Sequence, residues 1–299
     1  MTEAILQALR VLTAPGQVVE VRAITDDGIV SGYFDDPAQL AGSVDAMDTV
    51  PAIQGIYVTL NEVNPALLSR RANRVKQRLG KKDATTADPD IHRRRWFPID
   101  IDPTRPSGVS STDEEHQAAI DTAERIASHL GRLGWPAPIV ADSGNGAHLL
   151  YRIDLPNDDR SRDLVRKCLE VLATLFDDPT RTIDTANHNA ARIWKLYGTM
   201  SRKGDHTPDR PHRRSRLLSV PDQVSVVPTQ LLDALARTLP DAPPPGKKHG
   251  HAIDLSTWLR DHGIGIAREK PYGGGTLYVL EECPFSGAHR DGAFAIQFG

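Results

Sequence analysis

Residues 95–103 read RWFPIDIDP, an apolar run that ends in two carboxylates separated by a single residue. The run is typical of a buried strand, and the two-residue period of a strand places Asp100 and Asp102 on one face, with Ile101 on the other. Like charges held this close raise each other's pKa, and a cation between them removes the repulsion. Paired hard oxygen ligands suit Mg²⁺ or Mn²⁺. A polar turn is the alternative for this stretch taken alone, because Asp-Pro commonly opens turns.

The global charge balance conceals one basic segment. Hydrophobic residues make up 39% of the 299 residues and charged residues 25%, and the formal net charge of -3 gives no overall sign of a nucleic-acid binder. The segment 184–216 contains eight cations and three acids. The cations are Arg192, Lys195, Arg202, Lys203, Arg210, Arg213, Arg214 and Arg216, and the acids are Asp184, Asp205 and Asp209. We therefore expect this segment to bind phosphate groups.

Helical and strand patterns alternate along the chain, which predicts an α+β fold. We predict helices at residues 3–12, 37–46, 65–78, 111–133, 159–176 and 229–239. We predict strands at residues 17–24, 28–34, 55–60, 95–101, 139–141, 147–153, 192–197, 217–220 and 293–298. The clearest helix start is the capping box formed by Ser111 and Glu114.

The length allows one large or two medium domains. A proline-rich linker predicted at 241–250 divides a core at 1–240 from a small appendage at 251–299. The amino terminus has no cationic start or continuous apolar run, and no stretch approaches the length of a membrane span. We therefore expect a cytoplasmic protein with no membrane partner. Two distant cysteines do not indicate a disulfide framework, and Cys168 lies on the apolar side of a helical pattern, which predicts a core position.

A second polar motif connects two predicted strands. Ser143, Gly144, Asn145 and Gly146 form a tight turn, and His148 begins the second strand. The glycines permit positive φ and let backbone N–H groups approach an anion closely. The Ser143 hydroxyl and the His148 imidazole can both donate to phosphate oxygens. The alternative is an ordinary Asn-Gly hairpin turn followed by an unrelated histidine.

A third carboxylate, Asp184, follows an apolar residue and precedes a polar loop. It would complete a metal site that the first two aspartates begin, although a lone aspartate at a strand end is usually a turn or cap residue. The strand predicted next places Arg192 and Lys195 on opposite faces, so these cations converge only if the strand bends. Arg202 and Lys203 then lie in a flexible basic loop.

Taken in order, these motifs resemble the catalytic core of the archaeo-eukaryotic primases, in particular the primase-polymerases of phages, plasmids and other mobile elements. The family motifs are an apolar-Asp-x-Asp/Glu strand end, a Ser-x-His-like element and an apolar-Asp pair. Here they fall at residues 99–102, 143–148 and 183–184. The similarity extends through residues 55–61 and 192–199, and so covers residues 1–240. The second motif is longer here by a Gly-Asn-Gly insert.

The resemblance implies an N-terminal α/β module packed on an RRM-like sheet that carries the acids. It implies that Asp100, Asp102 and Asp184 hold two divalent ions, Mg²⁺ or Mn²⁺, for nucleotidyl transfer from nucleoside triphosphates on a single-stranded DNA template. The nucleotide-binding residues would be Ser143, Gly144, Asn145, Gly146, His148, Arg192, Lys195, Arg202 and Lys203. Arg202 and Lys203 could contact either the triphosphate or the template backbone.

Residues 282–289, ECPFSGAH, look like the first half of a zinc site that follows the primase core in these mobile-element proteins. Structural zinc needs four ligands and no cysteine follows Cys283, so we expect no zinc in this chain. We expect instead a fragment of a longer protein whose other part, often a helicase, holds the remaining ligands. The alternative is an ordinary buried Cys283 and a surface His289 at a true C-terminus.

Two other functions stay open. A non-catalytic RRM-like module that binds single strands or a replication origin would need the basic segment but not three acids around one point. A metal nuclease would use the same acids, although the phosphate-binding turn at 143–148 favours the primase. The sequence does not indicate whether ribo- or deoxynucleotides are preferred.

Overall fold

The computed structural model describes residues 2–239, 254–282, 284 and 293–298. Two compact units, Met1–Asp233 and Ala234–Gly299, divide the chain. Helices accompany antiparallel sheets in the described part of each unit, which agrees with the predicted mixture of α and β structure. Among the described helices, none is long and apolar enough to cross a membrane. The linker predicted at 241–250 lies outside the described residues, as do Cys283 and His289.

The described residues form six helices and sixteen strands. The helices are α1 (Thr2–Leu12), α2 (Pro37–Asp48), α3 (Asp113–Arg132), α4 (Asp159–Phe176), α5 (Thr229–Ala236) and α6 (Leu255–Asp261). The strands are β1 (Val19–Thr25), β2 (Gly28–Phe34), β3 (Ile53–Thr59), β4 (Glu62–Val63), β5 (Arg74–Lys76), β6 (Ile91–Pro103), β7 (Ile139–Asp142), β8 (Ala147–Pro156), β9 (Arg181–Ile183), β10 (Ile193–Lys195), β11 (Met200–Ser201), β12 (Arg213–Arg214), β13 (Arg216–Ser219), β14 (Ile266–Tyr272), β15 (Gly275–Leu280) and β16 (Phe294–Phe298). Short 3-10 turns occupy Pro65–Arg70, Asp88–Asp90 and Thr185–His188.

The amino-terminal sheet has the strand order β10-β3-β1-β2-β5. Alternation along its strands gives it an apolar face, on which Val21 and Val58 lie in the main hydrophobic cluster. Leu9 of α1 and Val44 of α2 belong to the same cluster, so both helices cover this face. The opposite face carries polar side chains such as Arg22 and is left for other contacts.

The second sheet, here the motif sheet, has the order β13-β7-β8-β6-β4, and β9 pairs with β6 beyond this path. On β6, Phe97, Ile99 and Ile101 are fully buried. Each such side chain contributes about 1.5–3 kcal/mol through removal from water. Trp135 packs against both Phe97 and Tyr151, with ring centroids 5.7 and 5.1 Å apart. These contacts fix which face of β6 is buried, and hence where its polar residues lie.

One predicted element is wrong and another begins one residue later than expected. The helix predicted at 65–78 is instead the 3-10 turn Pro65–Arg70 followed by strand β5. Asn73 adopts a left-handed φ of 48°, which is incompatible with a continuing helix. The α3 capping box uses Thr112 and Glu115 rather than the expected Ser111 and Glu114; Glu115 N–H donates to Thr112 Oγ1 at 3.2 Å.

Other predictions are confirmed where the signal is local. The helix predicted at 159–176 is α4, with the same bounds, and Cys168 on its apolar side is fully buried. The strand predicted at 192–197 is shorter, covering only Ile193–Lys195. In the second unit, Leu259 of α6 packs with Tyr278 and Leu280 of β15 in a small core of its own.

Candidate functional site

Asp100 and Asp102 lie near the end of β6, on the face opposite Ile101. Because Ile101 is fully buried, the strand cannot rotate without exposing it, and both carboxylates are held on one face. Strand β9 pairs with β6 through Ile101 and Ile183. One residue further along, the N–H of Asp184 donates to Asp100 O at 3.0 Å. The fold therefore brings the third predicted acid beside the first.

The two β6 carboxylates have different surroundings. Asp100 Oδ1 lies 3.2 Å from His148 Nε2, and Asp102 Oδ1 accepts from Arg105 Nη1 at 3.2 Å. Burial opposes ionisation of Asp100, but His148 and, more weakly, Lys203 outweigh it and lower the pKa of this carboxyl. Burial and the adjacent charge of Asp100 raise the pKa of Asp102. A cation between the two carboxylates would relieve this repulsion, so the pair fits a divalent metal ion.

Asp184 is engaged elsewhere. Its Oδ2 accepts from Arg192 Nη2 at 2.6 Å, and its Oδ1 accepts from the N–H of Ala186 at 2.9 Å. Across residues 2–239 and the described part of the second unit, no three His, Cys, Asp or Glu side chains are arranged to hold a metal ion. Arg192 and the N–H of Ala186 thus occupy both oxygens of the Asp184 carboxylate.

The acids open onto a cleft of about 300 Å³. Carboxylates, cations and aromatic rings share its wall. The lining residues are Tyr57, Asp100, Asp102, Ser143, Asn145, His148, Asn187, Arg192, Ile193, Trp194, Lys195, Ser201 and Lys203. This volume suits a small ligand, and the mixture of charges favours one that is itself charged.

The Ser143 motif forms the turn between β7 and β8. Gly144 has a φ of +93°, and a Cβ on Gly146 would lie 2.2 Å from Ile101 O, so both positions require glycine. The N–H of Gly144 donates to Asp142 Oδ1 at 2.7 Å, and that of Gly146 donates to Ser143 Oγ at 2.9 Å. These backbone donors are thus used within the turn. Side chains of the turn, rather than its N–H groups, face the cleft.

His148 belongs to a buried chain of hydrogen bonds. Trp194 Nε1 donates to Tyr197 Oη at 2.8 Å, and Tyr197 Oη lies 2.9 Å from His148 Nδ1. Because Tyr197 Oη already accepts from Trp194, its own proton is available for Nδ1, which leaves the Nε2–H directed at Asp100. The Trp194 ring also packs against the imidazole, with centroids 4.1 Å apart and the ring planes tilted by 39°. Trp194 therefore serves both the core and the cleft.

Lys195 is buried at the side of the cleft. Its Nζ donates to Met200 O at 2.6 Å and lies 5.6 Å from the centre of the Tyr57 ring. Burial lowers the pKa of Lys195 to about 7, and this effect outweighs the attraction of Asp48. At neutral pH the amine is consequently close to its point of charge change.

Of the two basic-loop residues, only Lys203 reaches the cleft. It is exposed and lines the wall near both β6 carboxylates. Arg202 instead donates to Asp48 O at 2.7 Å and to Ile53 O at 3.1 Å. The Arg202 guanidinium also lies 3.7 Å from the buried Asp48 carboxylate, so it ties the loop to α2 and β3.

The structure thus gathers most of the predicted residues at one place. Those that line the cleft are Asp100, Asp102, Ser143, Asn145, His148, Arg192, Lys195 and Lys203. Asp184 does not line the cleft itself but contacts two residues that do, Asp100 and Arg192. Gly144 and Gly146 shape the turn, and Arg202 lies elsewhere.

Several cleft residues had no signal of their own in the sequence. Tyr57 lies on the polar face of the otherwise apolar strand β3. It faces the cleft only because β10 pairs with β3. Ser201 donates to Ser143 O at 2.7 Å, which fixes the turn from 58 residues away. Tyr197 follows Trp194 by three residues, and its hydroxyl is recognisable as functional only once the position of His148 is known.

No protein-family profile matches the chain, and no curated protein matches it in sequence. Among solved structures, the chain is similar to one titled "Crystal structure of primase RepB'", with 10% sequence identity and a TM-score of 0.44. The match covers 88% of this chain. The chain spans 65% of the length of that structure.

Proposed function

We propose that the chain is a template-directed nucleotidyltransferase, a primase-polymerase that makes and extends primers on single-stranded DNA. The observation that supports this proposal best is the single cleft that joins the β6 carboxylates, the 143–148 turn and the cations Arg192, Lys195 and Lys203. Acids alone would fit many metal sites. Cations in the same cleft add a place for phosphate groups, which a nucleoside triphosphate carries.

Asp100 and Asp102 would hold Mg²⁺ or Mn²⁺, with Asp184 joining them once Arg192 turns from it to a phosphate. The metal ions would activate the 3′-hydroxyl of the primer and neutralise the leaving pyrophosphate. Arg192 is well placed for this exchange, because it already lines the cleft and its present partner is a carboxylate. The exchange would couple nucleotide binding to the assembly of the three acids.

Phosphate positioning falls to the donors around the acids. His148 directs its Nε2–H into the cleft toward Asp100, and Ser143 and Lys203 line the same wall. These residues need only bind and orient the triphosphate, since no side chain becomes covalently attached in this reaction. By the family resemblance, we assign the activity to replication of a phage, plasmid or other mobile element, alongside a helicase region or partner.

The test is primer synthesis from mixed nucleotides on a single-stranded template, with Mg²⁺ or Mn²⁺ and no primer. Asp100→Asn and Asp102→Asn should each lower incorporation about hundredfold or more, as expected when several kcal/mol of charge stabilisation are lost. Asp121→Asn, at an exposed position on α3, is the matched control and should leave incorporation unchanged. Full activity in either β6 variant would exclude the proposed reaction.

The engagement of Asp184 by Arg192 favours one other candidate, a non-catalytic RRM-like module that binds single strands. Such a module has no need of triphosphate. Calorimetry of the wild-type chain with a nucleoside triphosphate, with and without divalent metal, separates the two functions. Metal-dependent binding of the triphosphate supports the nucleotidyltransferase. Binding of single-stranded DNA without any binding of triphosphate would support the module.

A further inference from the structure

A cationic segment, residues 74–82, lies along the outer edge of the amino-terminal sheet. Its strand β5 pairs with β2 on one side and is the last strand in the sheet order. The segment contains no acidic residue and five exposed cations, which are Arg74, Lys76, Arg78, Lys81 and Lys82. No role in the cleft accounts for this concentration of charge.

Among the residues that the structure describes, four of these cations contact no carboxylate. Elsewhere in Met1–Asp233 the described arginines mostly lie against an Asp or Glu, as Arg192 and Arg210 do. In this segment Lys76 alone has an acidic partner within the described residues, Asp83 at 2.7 Å. Asp83 also accepts from the N–H of Gly80 at 2.7 Å, which folds the turn back beside β5. The turn thereby keeps Lys81 and Lys82 next to the strand.

A row of cross-strand neighbours connects this edge to the cleft. Directly paired residues in antiparallel strands share a face of the sheet. The strand registers give one row across all five strands, composed of Lys195, Tyr57, Arg22, Ser31 and Lys76. Lys195 and Tyr57 line the cleft. The cleft and the cationic segment therefore occupy one face, four strand spacings or roughly 19 Å apart.

The chain that follows the segment crosses this same face. The N–H of Thr86 donates to Glu20 Oε2 at 2.8 Å, and Arg22 Nη2 donates to Thr86 O at 2.8 Å. Residues 83–86 thus cover the middle of the row, and a ligand leaving the cleft toward β5 would pass over them. Lys81 and Lys82, at the start of this covering stretch, lie on its path.

We propose that the cationic segment binds the phosphate backbone of the single-stranded template where the template leaves the cleft, an inference that rests on the proposed function. Charge complementarity selects a polyanion, and the roughly 19 Å separation corresponds to about six nucleotides at the rise of a stacked strand. Binding is electrostatic and independent of sequence. Charged side chains on an edge strand also prevent edge-to-edge pairing, and that role alone predicts no effect on DNA binding.

The test compares two variants that lose the same four charges. The first is Arg74→Gln, Arg78→Gln, Lys81→Gln and Lys82→Gln combined. The control combines Arg10→Gln, Arg125→Gln, Arg160→Gln and Arg166→Gln, which remove exposed arginines from α1, α3 and α4. The affinity for labelled 20-nucleotide and 4-nucleotide oligothymidylate is measured by fluorescence anisotropy over a range of NaCl concentrations.

We expect the segment variant to bind the 20-nucleotide strand at least tenfold more weakly at low salt. Its slope of log K against log salt should fall by about 2 to 3, since each lost phosphate contact on a single strand contributes about 0.7. Affinity for the 4-nucleotide strand, which is too short to reach from the cleft to β5, should change less than twofold. The control variant should match the wild type on both strands.

If the segment variant binds DNA with the wild-type affinity and salt slope, the proposed binding surface is wrong, whatever the activity of the protein. An equal loss in the control variant would do the same, because it would show a response to net charge alone. Failure of the proposed function is a separate result, namely no incorporation by a wild type that still binds DNA through the segment. Should the fourfold variant not fold, the pairs Arg74→Gln with Arg78→Gln and Lys81→Gln with Lys82→Gln should each give half the change in slope.

Discussion

Asp100 and His148 depend on one another in a way that neither residue type reveals. The imidazole outweighs burial and lowers the pKa of Asp100, whereas burial, together with the Asp100 charge, raises the pKa of Asp102. The imidazole is oriented in turn by Tyr197 and Trp194, both buried. The charge distribution at the end of β6 is therefore set from the core, through a chain of buried hydrogen bonds.

Tyr197→Phe should destabilise the protein by about 1–3 kcal/mol, because it leaves His148 Nδ1 and the Trp194 N–H buried without a partner. It should also raise the KM for nucleotide more than it lowers kcat, since His148 loses the bond that directs its Nε2–H into the cleft. Urea unfolding and steady-state incorporation measure the two effects. An unchanged KM together with reduced stability would limit Tyr197 to a packing role.

Tyr151→Phe is the matched control for that substitution. Tyr151 is buried on β8, and its hydroxyl meets no hydrogen-bond partner among the described residues. Removing a buried hydroxyl that has no partner relieves a desolvation cost, so stability should stay the same or rise. Activity should be unchanged.

Lys195 should make the free energy of unfolding depend on pH. Burial lowers its pKa to about 7, whereas an unfolded lysine has a pKa of about 10.4. Between these values the unfolded chain binds more protons than the folded one, so stability rises with pH, by at most about 1.4 kcal/mol per unit. Below pH 7 both states are protonated and this contribution levels off.

Lys195→Met isolates that contribution, because it retains the length and burial of the side chain without the charge. Urea denaturation at pH 6, 7, 8.5 and 10 should show the wild type gaining stability on the variant between pH 7 and 10, and no divergence below pH 7. Parallel curves over the whole range would mean that Lys195 keeps its charge in the folded protein.

Among the individual residues, the sequence predicts well the positions that follow from local spacing. Asp100 and Asp102 share a face because a strand has a period of two. His148 lies opposite Asp100 because β8 pairs with β6, and no local spacing predicts that pairing. Arg202 was predicted at the cleft but is held by Asp48, 154 positions earlier in the chain. No local pattern reveals such a partner, and a buried carboxylate without it would be costly.

The close approach of β6 and β8 is the element-level feature on which the site depends. Gly146→Ala would place a Cβ 2.2 Å from Ile101 O, so the strands must separate just where β6 delivers its carboxylates. We expect a loss of several kcal/mol in stability or a shift of the turn that abolishes incorporation. Thermal unfolding and the primer-synthesis assay record both.

Gly42→Ala provides the comparison. Gly42 lies inside α2, and a Cβ there would meet nothing within 4 Å. Alanine favours a helix interior over glycine by about 1 kcal/mol, so this variant should be slightly more stable. A similar loss in both variants would show that the Gly146 effect is not due to the strand contact.

Among the helices and strands, too, those that depend on local sequence were predicted, and those that depend on distant pairing were not. Helix α4 was predicted with its bounds because its apolar period and its N-cap, Asp158, lie within one stretch. The predicted helix at 65–78 failed because Asn73 reverses the chain and because β5 finds its hydrogen bonds on β2, more than 40 residues away. The pairing of β10 with β3 spans still more of the chain and no periodicity indicates it.

Over the whole molecule, the net charge does not show where paired and unpaired charges lie. The formal net charge of -3 includes a buried Asp48, which holds the guanidinium groups of Arg202 and Arg214. Within the described part of Met1–Asp233, the segment 74–82 holds four exposed cations without a carboxylate partner, and Lys203 lines the cleft. The net charge is consequently a poor guide to whether this chain binds a polyanion, because association responds to local potential.

The division into two compact units places every predicted site residue in Met1–Asp233. A chain shortened to residues 1–239 should therefore keep its fold, its metal-dependent binding of nucleoside triphosphate and its binding of single-stranded DNA within about twofold of the full chain. Among the described residues, each unit has a hydrophobic cluster of its own, so the first unit has the means to fold alone. Circular dichroism, calorimetry and anisotropy on both lengths provide the measurement.

A shortened chain that is folded but loses triphosphate binding would show that the second unit contributes to the cleft. Loss of initiation alone, with extension of a supplied primer intact, would instead assign residues 240–299 to the start of synthesis.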